Sequence, residues 1–111
     1  MKIDKVNNDR VLIGERVLRR EDGGPEVTVK VFLPVKDKDN DEAFRCYYQI
    51  CGIGNEGLRF GTGIDAIQAI QIALKNIGAD LYLRHKDVRL IFGDVNDPGF
   101  PPPKLISGGS E

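Results

Sequence analysis

Residues 63–81, GIDAIQAIQIALKNIGADL, decide how this chain folds. Apolar residues recur every three or four positions, the spacing of a helix with a buried face. At 100° per residue, Ile67, Ile70, Leu74, Ile77 and Leu81 fall within a stripe about 80° wide. That stripe is expected to lie on a sheet, with Ala66 and Ala73 at its border. Two capping boxes compete for the helix start, Thr62-x-x-Asp65 and Asp65-x-x-Gln68. Gly78 either sits mid-helix, at a cost of about 1 kcal/mol, or caps a helix that ends near Ile77. Opposite the stripe, Ile72 and Leu83, with Ala69 and Ala79 beside them, make a second apolar strip. Residues 100–106 of the same chain could cover it, or the same helix of a second subunit, since a two-fold dimer sets like patches together.

The sheet is read from what precedes the helix. Residues 10–20 suggest a first strand, and Asp22-Gly23 after it is a hairpin signal, because glycine tolerates positive φ. Residues 26–35 alternate most clearly: Val27, Val29, Val31, Leu33 and Val35 on one face, Thr28, Lys30 and Phe32 on the other. A charged loop, residues 36–42, leads to a third strand at 43–51. There Phe44, Cys46, Tyr48 and Ile50 oppose Arg45, Tyr47, Gln49 and Cys51. A short fourth strand runs near 58–61, and a last one at 88–92. Short connections predict an antiparallel meander. The order is β-β-β-β-α-β, an α+β domain with one helix across one sheet face. Residues 97–103 hold four prolines and should run extended, pinned by Phe100. Residues 1–9 are expected to fray, residues 10–103 to form the domain, and residues 104–111 to be a flexible tail.

The totals bound the function. With 111 residues one domain is expected. Sixteen Lys and Arg against seventeen Asp and Glu leave a net charge of −1, so no global field draws the chain to nucleic acid or anionic lipid. No run approaches the roughly 18 apolar residues of a membrane span, and the N-terminal residues lack the apolar core of a signal peptide. The expected location is the cytoplasm. Cys46 and Cys51 lie five apart on one strand, facing opposite ways, beyond disulfide reach.

Each chemical motif fails on its context. Residues 52–57 match G-x-G-x-x-G, but a strand follows the third glycine where a dinucleotide site needs a helix N-terminus. Asp37, Asp39 and Asp41 imitate the start of a calcium loop, yet Glu42 and Tyr48 stand where glycine and glutamate are required. No serine precedes Ser107, which leaves a serine triad without a nucleophile. His85 is the only histidine, and with two opposed cysteines it makes no tetrahedral zinc set. No catalytic residue, metal ligand or cofactor is expected.

A mixed sheet face is the less trivial feature. Lys30, Phe32, Arg45, Tyr47 and Arg59, with Thr28, Gln49 and Arg89 nearby, combine cations with aromatic rings, the means by which several folds bind single strands.

The run from Gly63 to Leu74, then Ile77-Gly78-Ala79-Asp80-Leu81, resembles a family of small bacterial proteins of unknown function. In that family a β-meander leads to a G-[VI]-D-x-[LI]-Q-A-[LI]-Q-x-A-L-x-x-I-G helix, and a Gly-Phe-Pro ending follows, as at Gly99-Phe100-Pro101. The resemblance implies a bacterial source and brings no catalytic residues. The expected function is a non-catalytic protein-interaction or accessory domain, a homodimer that acts by binding a further protein partner. The alternatives are a single-stranded nucleic-acid binder using the mixed face, and an enzyme with a cleft between residues 52–57 and the helix start at residues 61–65.

Overall fold

The computed structural model describes residues 10–54 and 56–103. The frayed start and flexible tail expected at 1–9 and 104–111 lie outside the described residues. The strands are β1 (Leu12–Arg20), β2 (Val27–Phe32), β3 (Val35–Lys36), β4 (Phe44–Cys51), β5 (Arg59–Gly63) and β6 (Leu90–Ile91), with one helix, α1 (Ala66–His85), between β5 and β6. This is the expected α+β order, with β3 added. Every strand pairing is antiparallel. From edge to edge the sheet runs β5, β4, β2, β1, β6, and β3 continues the line of β2 beside β4.

Pro34 explains the extra strand. Proline has no N–H to give a ladder, so β2 stops at Phe32. Pairing resumes at Val35, which lies opposite Arg45 and therefore on Arg45's face. The run of valines expected on one face is thus broken: Val27 and Val29 are buried, whereas Leu33 and Val35 are exposed.

The core lies between the sheet and α1. Leu18, Val27, Val29, Cys46, Tyr48 and Ile50 supply the sheet side; Ala69, Ala73, Ile77 and Leu81 supply the helix side. The helix is therefore turned by about 60° from the expected stripe, less than one residue's rotation. Ile67, placed on the sheet by periodicity, is 67% exposed, and Ala69, placed in the outer strip, is fully buried. Glycines at Gly61 and Gly63 of β5 are the cause. A Cβ on Gly61 would stand 2.5 Å from the Ala73 nitrogen, and one on Gly63 would strike the Ala69 nitrogen. Two bare strand positions thus admit the helix backbone itself, and the small face of α1 docks there.

Asp65 is the N-cap. Its carboxylate accepts from the Gln68 N–H at 2.8 Å, and the Gln68 side chain accepts from the Ile64 N–H at 2.8 Å, so the second capping box is the one used. Gly78 does not end the helix, which continues to His85. A Cβ at Gly78 would collide with the Pro101 carbonyl. The glycine is there to seat the C-terminal segment, which crosses α1 at that point. Arg16 holds the same segment from the other side. Its Nη1 donates to the Pro98 and Gly99 carbonyls at 3.2 and 2.9 Å, and its guanidinium lies 4.1 Å from the Phe92 ring centre and 4.9 Å from that of Phe100. Phe100 packs on the core, as expected of it. Among the described residues no helix is long and apolar enough to cross a membrane.

Candidate functional site

Among the described residues, one face of the sheet carries a helix and the other carries none. Strand register assigns the residues of the other. Leu12 lies opposite Phe32, Glu15 opposite Lys30, Val17 opposite Thr28, Lys30 opposite Gln49, and Tyr47 opposite Phe60. Partners across a ladder point the same way, so these residues share the open face. Lys30, Phe32, Arg45 and Tyr47 are brought together there as the alternation required. Arg59 is not. It stands opposite Tyr48, on the core side, and its guanidinium is ion-paired with Asp80 of α1. A one-residue difference in where β5 starts reverses the facing of every residue in it. Arg89 is also elsewhere, 3.8 Å from Glu21 beside the β1–β2 turn.

Sequence reasoning missed Phe60, which takes the position given to Arg59, and Arg10. The Tyr47 and Phe60 rings meet edge to face, centres 5.4 Å apart. The Arg10 guanidinium covers Tyr47 at 4.2 Å, and that of Arg45 covers Phe60 at 4.1 Å. Arg45 also donates to the Tyr47 hydroxyl at 3.1 Å and to Asp37 at 3.1 Å. The Asp39 N–H, and then the Arg45 charge, hold the Asp37 carboxyl below its usual range against some loss of solvation. Asp37 is thus directed at Arg45, away from any ion site its spacing suggested. The hydroxyl of Tyr47 and the carboxylate of Asp37 push the Arg45 pKa up, so it stays charged.

Around these residues the open face mixes exposed apolar side chains with the polar Glu15, Thr28 and Gln49, and no helix of the described residues covers it. Leu12 and Val17 are each 47% exposed, Phe60 40% and Leu58 37%. A hollow of about 480 Å³ lies among Leu12, Lys30, Phe32, Gln49 and Leu58. Its floor is the sheet and its wall the loop before β5, where the Gln49 side chain donates to the Glu56 carbonyl at 2.7 Å.

The outer helix strip is dispersed. Ala69 is sealed against β5, Ile72 and Ala79 are half-buried, and only Leu83 projects, at 60% exposure. The cleft expected between residues 52–57 and the helix start is not formed. An antiparallel β4–β5 pair puts that turn at one end of β5 and the helix start at the other. The turn instead faces the far end of α1, where Gly52 and Ile53 share a hollow with Arg84 and Asp87. Cys46 lies in the core, its thiol donating to the Phe32 carbonyl at 3.4 Å, and burial pushes its pKa up. It is a protonated core residue and no nucleophile. Among the described residues no group of three or more His, Cys, Asp or Glu converges on a metal position.

A model of the family described as a domain of unknown function, DUF6968, matches residues 14–102. No curated protein and no solved structure matches the chain.

Proposed function

We propose that this chain, which belongs to the DUF6968 family, is a non-catalytic protein-interaction domain of the bacterial cytoplasm that pairs with a second copy through its open sheet face. The observation that carries this reading is the exposure of Leu12, Leu58 and Phe60 at one end of the sheet face that no helix of the described residues covers. Large apolar residues grouped on one face, with polar groups around them, are the mark of a surface that meets another protein. A two-fold axis lying in the plane of the interface, parallel to the sheet face, would set each patch on its twin without further sequence requirements. The helix strip no longer supports this role, because Ala69 faces inward.

The reading predicts a solution mass of about twice 12.3 kDa at roughly 100 µM protein, a concentration that fills a micromolar dimer. Leu12→Glu and Phe60→Glu should each return the monomer mass, whereas Leu83→Glu should leave the dimer intact. A wild-type monomer by light scattering would end the reading.

The nucleic-acid alternative draws support from Lys30, Phe32, Arg45 and Tyr47, but two aromatic faces that would stack on bases are already covered by arginines of the chain, and Arg45 is neutralised by Asp37. Base stacking and phosphate contact would first have to displace these partners. A labelled single-stranded oligonucleotide is expected to show no binding that weakens between low and high salt. A steep salt slope would restore the alternative.

A further inference from the structure

We propose that the trough between α1 and β1 is a binding site for glycine–aromatic–proline peptides of a partner protein, and that residues 98–103 of this chain occupy it as a built-in competitor. The inference does not rest on which face makes the dimer. α1 lies over β4 and β5, and among the described residues no helix lies over β1 and β2. There Gly14, Arg16, Val29 and Val31 line a hollow of about 200 Å³ with Phe100.

The way the resident segment is held states what the trough selects. Arg16 reads main-chain carbonyls, those of Pro98 and Gly99, and no side-chain functional group. The same guanidinium meets the face of an aromatic ring. Gly78 leaves room for a main chain where any side chain would intrude. A glycine–aromatic–proline segment brings carbonyl acceptors and few N–H groups that need partners; here it turns at Gly99 (φ +82°), whose N–H the Asp97 side chain accepts, and three prolines then restrict the chain before it binds. No backbone-to-backbone hydrogen bond joins residues 98–103 to the sheet or helix among those described. Side-chain contacts and one glycine seat hold the segment, so a matching segment from outside meets the same anchors. A tethered competitor acts at an effective concentration in the millimolar range, so an outside peptide gains access chiefly when the resident is weakened.

The test uses the full-length chain and a fluorescent peptide of residues 96–103, Asn-Asp-Pro-Gly-Phe-Pro-Pro-Pro. Phe100→Ala, which weakens the resident segment, should bind the peptide at least tenfold more tightly than the wild type. Pro101→Gly, which loosens the segment and keeps the ring, should bind more tightly as well. Adding Gly78→Val to Phe100→Ala should abolish the gain, as should alanine in place of phenylalanine in the peptide. Folded Phe100→Ala or Pro101→Gly protein that binds no better than the wild type would overturn the proposal. A dimer that falls to monomer mass on Phe100→Ala would also overturn it, by assigning the trough to the segment of a second copy.

Discussion

Gly61→Ala is expected to lower the stability of the domain by about 3 kcal/mol or more, the upper end of what one added methyl does to a tight contact. The added Cβ would stand 2.5 Å from the Ala73 nitrogen, 2.9 Å from its Cα and 3.0 Å from the Ala69 carbonyl oxygen. All three are backbone atoms, so no side chain can swing aside. Ordinary contact begins near 3.4 Å, and α1 has to lift by roughly the difference along its length. Lifting it loosens Ala69, Ala73, Ile77 and Leu81 together, the whole helix side of the core. A smaller term opposes this, because alanine restricts the unfolded chain by about 0.4–1 kcal/mol more than glycine does. With a total stability of roughly 5–15 kcal/mol, the substitution removes a large fraction of it. Thr62→Ala is the control. Thr62 lies between the two glycines in β5 and is exposed on the other face, so its change should stay within about 0.5 kcal/mol. Urea denaturation of the two variants side by side checks the claim. Equal midpoints would mean that the helix does not rest on the Gly61 backbone.

The same contact explains what periodicity could and could not say. The existence of α1 and its antiparallel sheet were legible, because each depends on local spacing, and the same spacing narrowed the helix start to Thr62 or Asp65 without choosing between them. The rotation of the helix was not. A stripe drawn through large apolar residues assumes that large residues meet the sheet, and Ile67 was counted on that ground. Here the closest approach is made by Ala69 and Ala73, and the deciding residues are Gly61 and Gly63 on another element. The Gly-Thr-Gly alternation in β5 was the available signal, since bare positions two apart clear one face of a strand. Residue size on the helix could be read only together with the absence of residue size on the strand.

The open face divides the same way. Lys30, Phe32, Arg45 and Tyr47 lie on β2 and β4, whose alternation is long enough to fix facing, and all four are where spacing put them. β5 has five residues and follows a turn that contains Gly52 and Gly54 at φ of +104° and +105°. Such a turn sets the register through backbone geometry, and register decides whether Arg59 or Phe60 faces out. Val35 failed for a related reason, since Pro34 restarted the ladder on the other parity. The contacts that close the face are long-range. Arg10 reaches Tyr47 and Arg45 reaches Phe60 across neighbouring strands, and neither follows from spacing within a segment.

Gly78→Ala should separate the C-terminal segment from the body while leaving α1 sound. In the helix interior alanine is better than glycine by about 1 kcal/mol, so the helix itself gains. The cost falls on the segment, because the new Cβ takes the place of the Pro101 carbonyl. Unlike Gly61, this site faces an element that can leave. What departs is one half-buried ring and the contacts of Arg16, together worth roughly 2–3 kcal/mol from partial burial and hydrogen bonds to a cation near solvent. Net destabilisation is then about 1–2 kcal/mol, well below that of Gly61→Ala. Nuclear Overhauser contacts between the Phe100 ring and the Val29 and Val31 methyl groups should vanish, and those from Ala73 and Ile77 to the sheet should persist. Retained Phe100 contacts would show that the segment is held without its glycine seat, and Gly78→Ala would then be no less stable than the wild type.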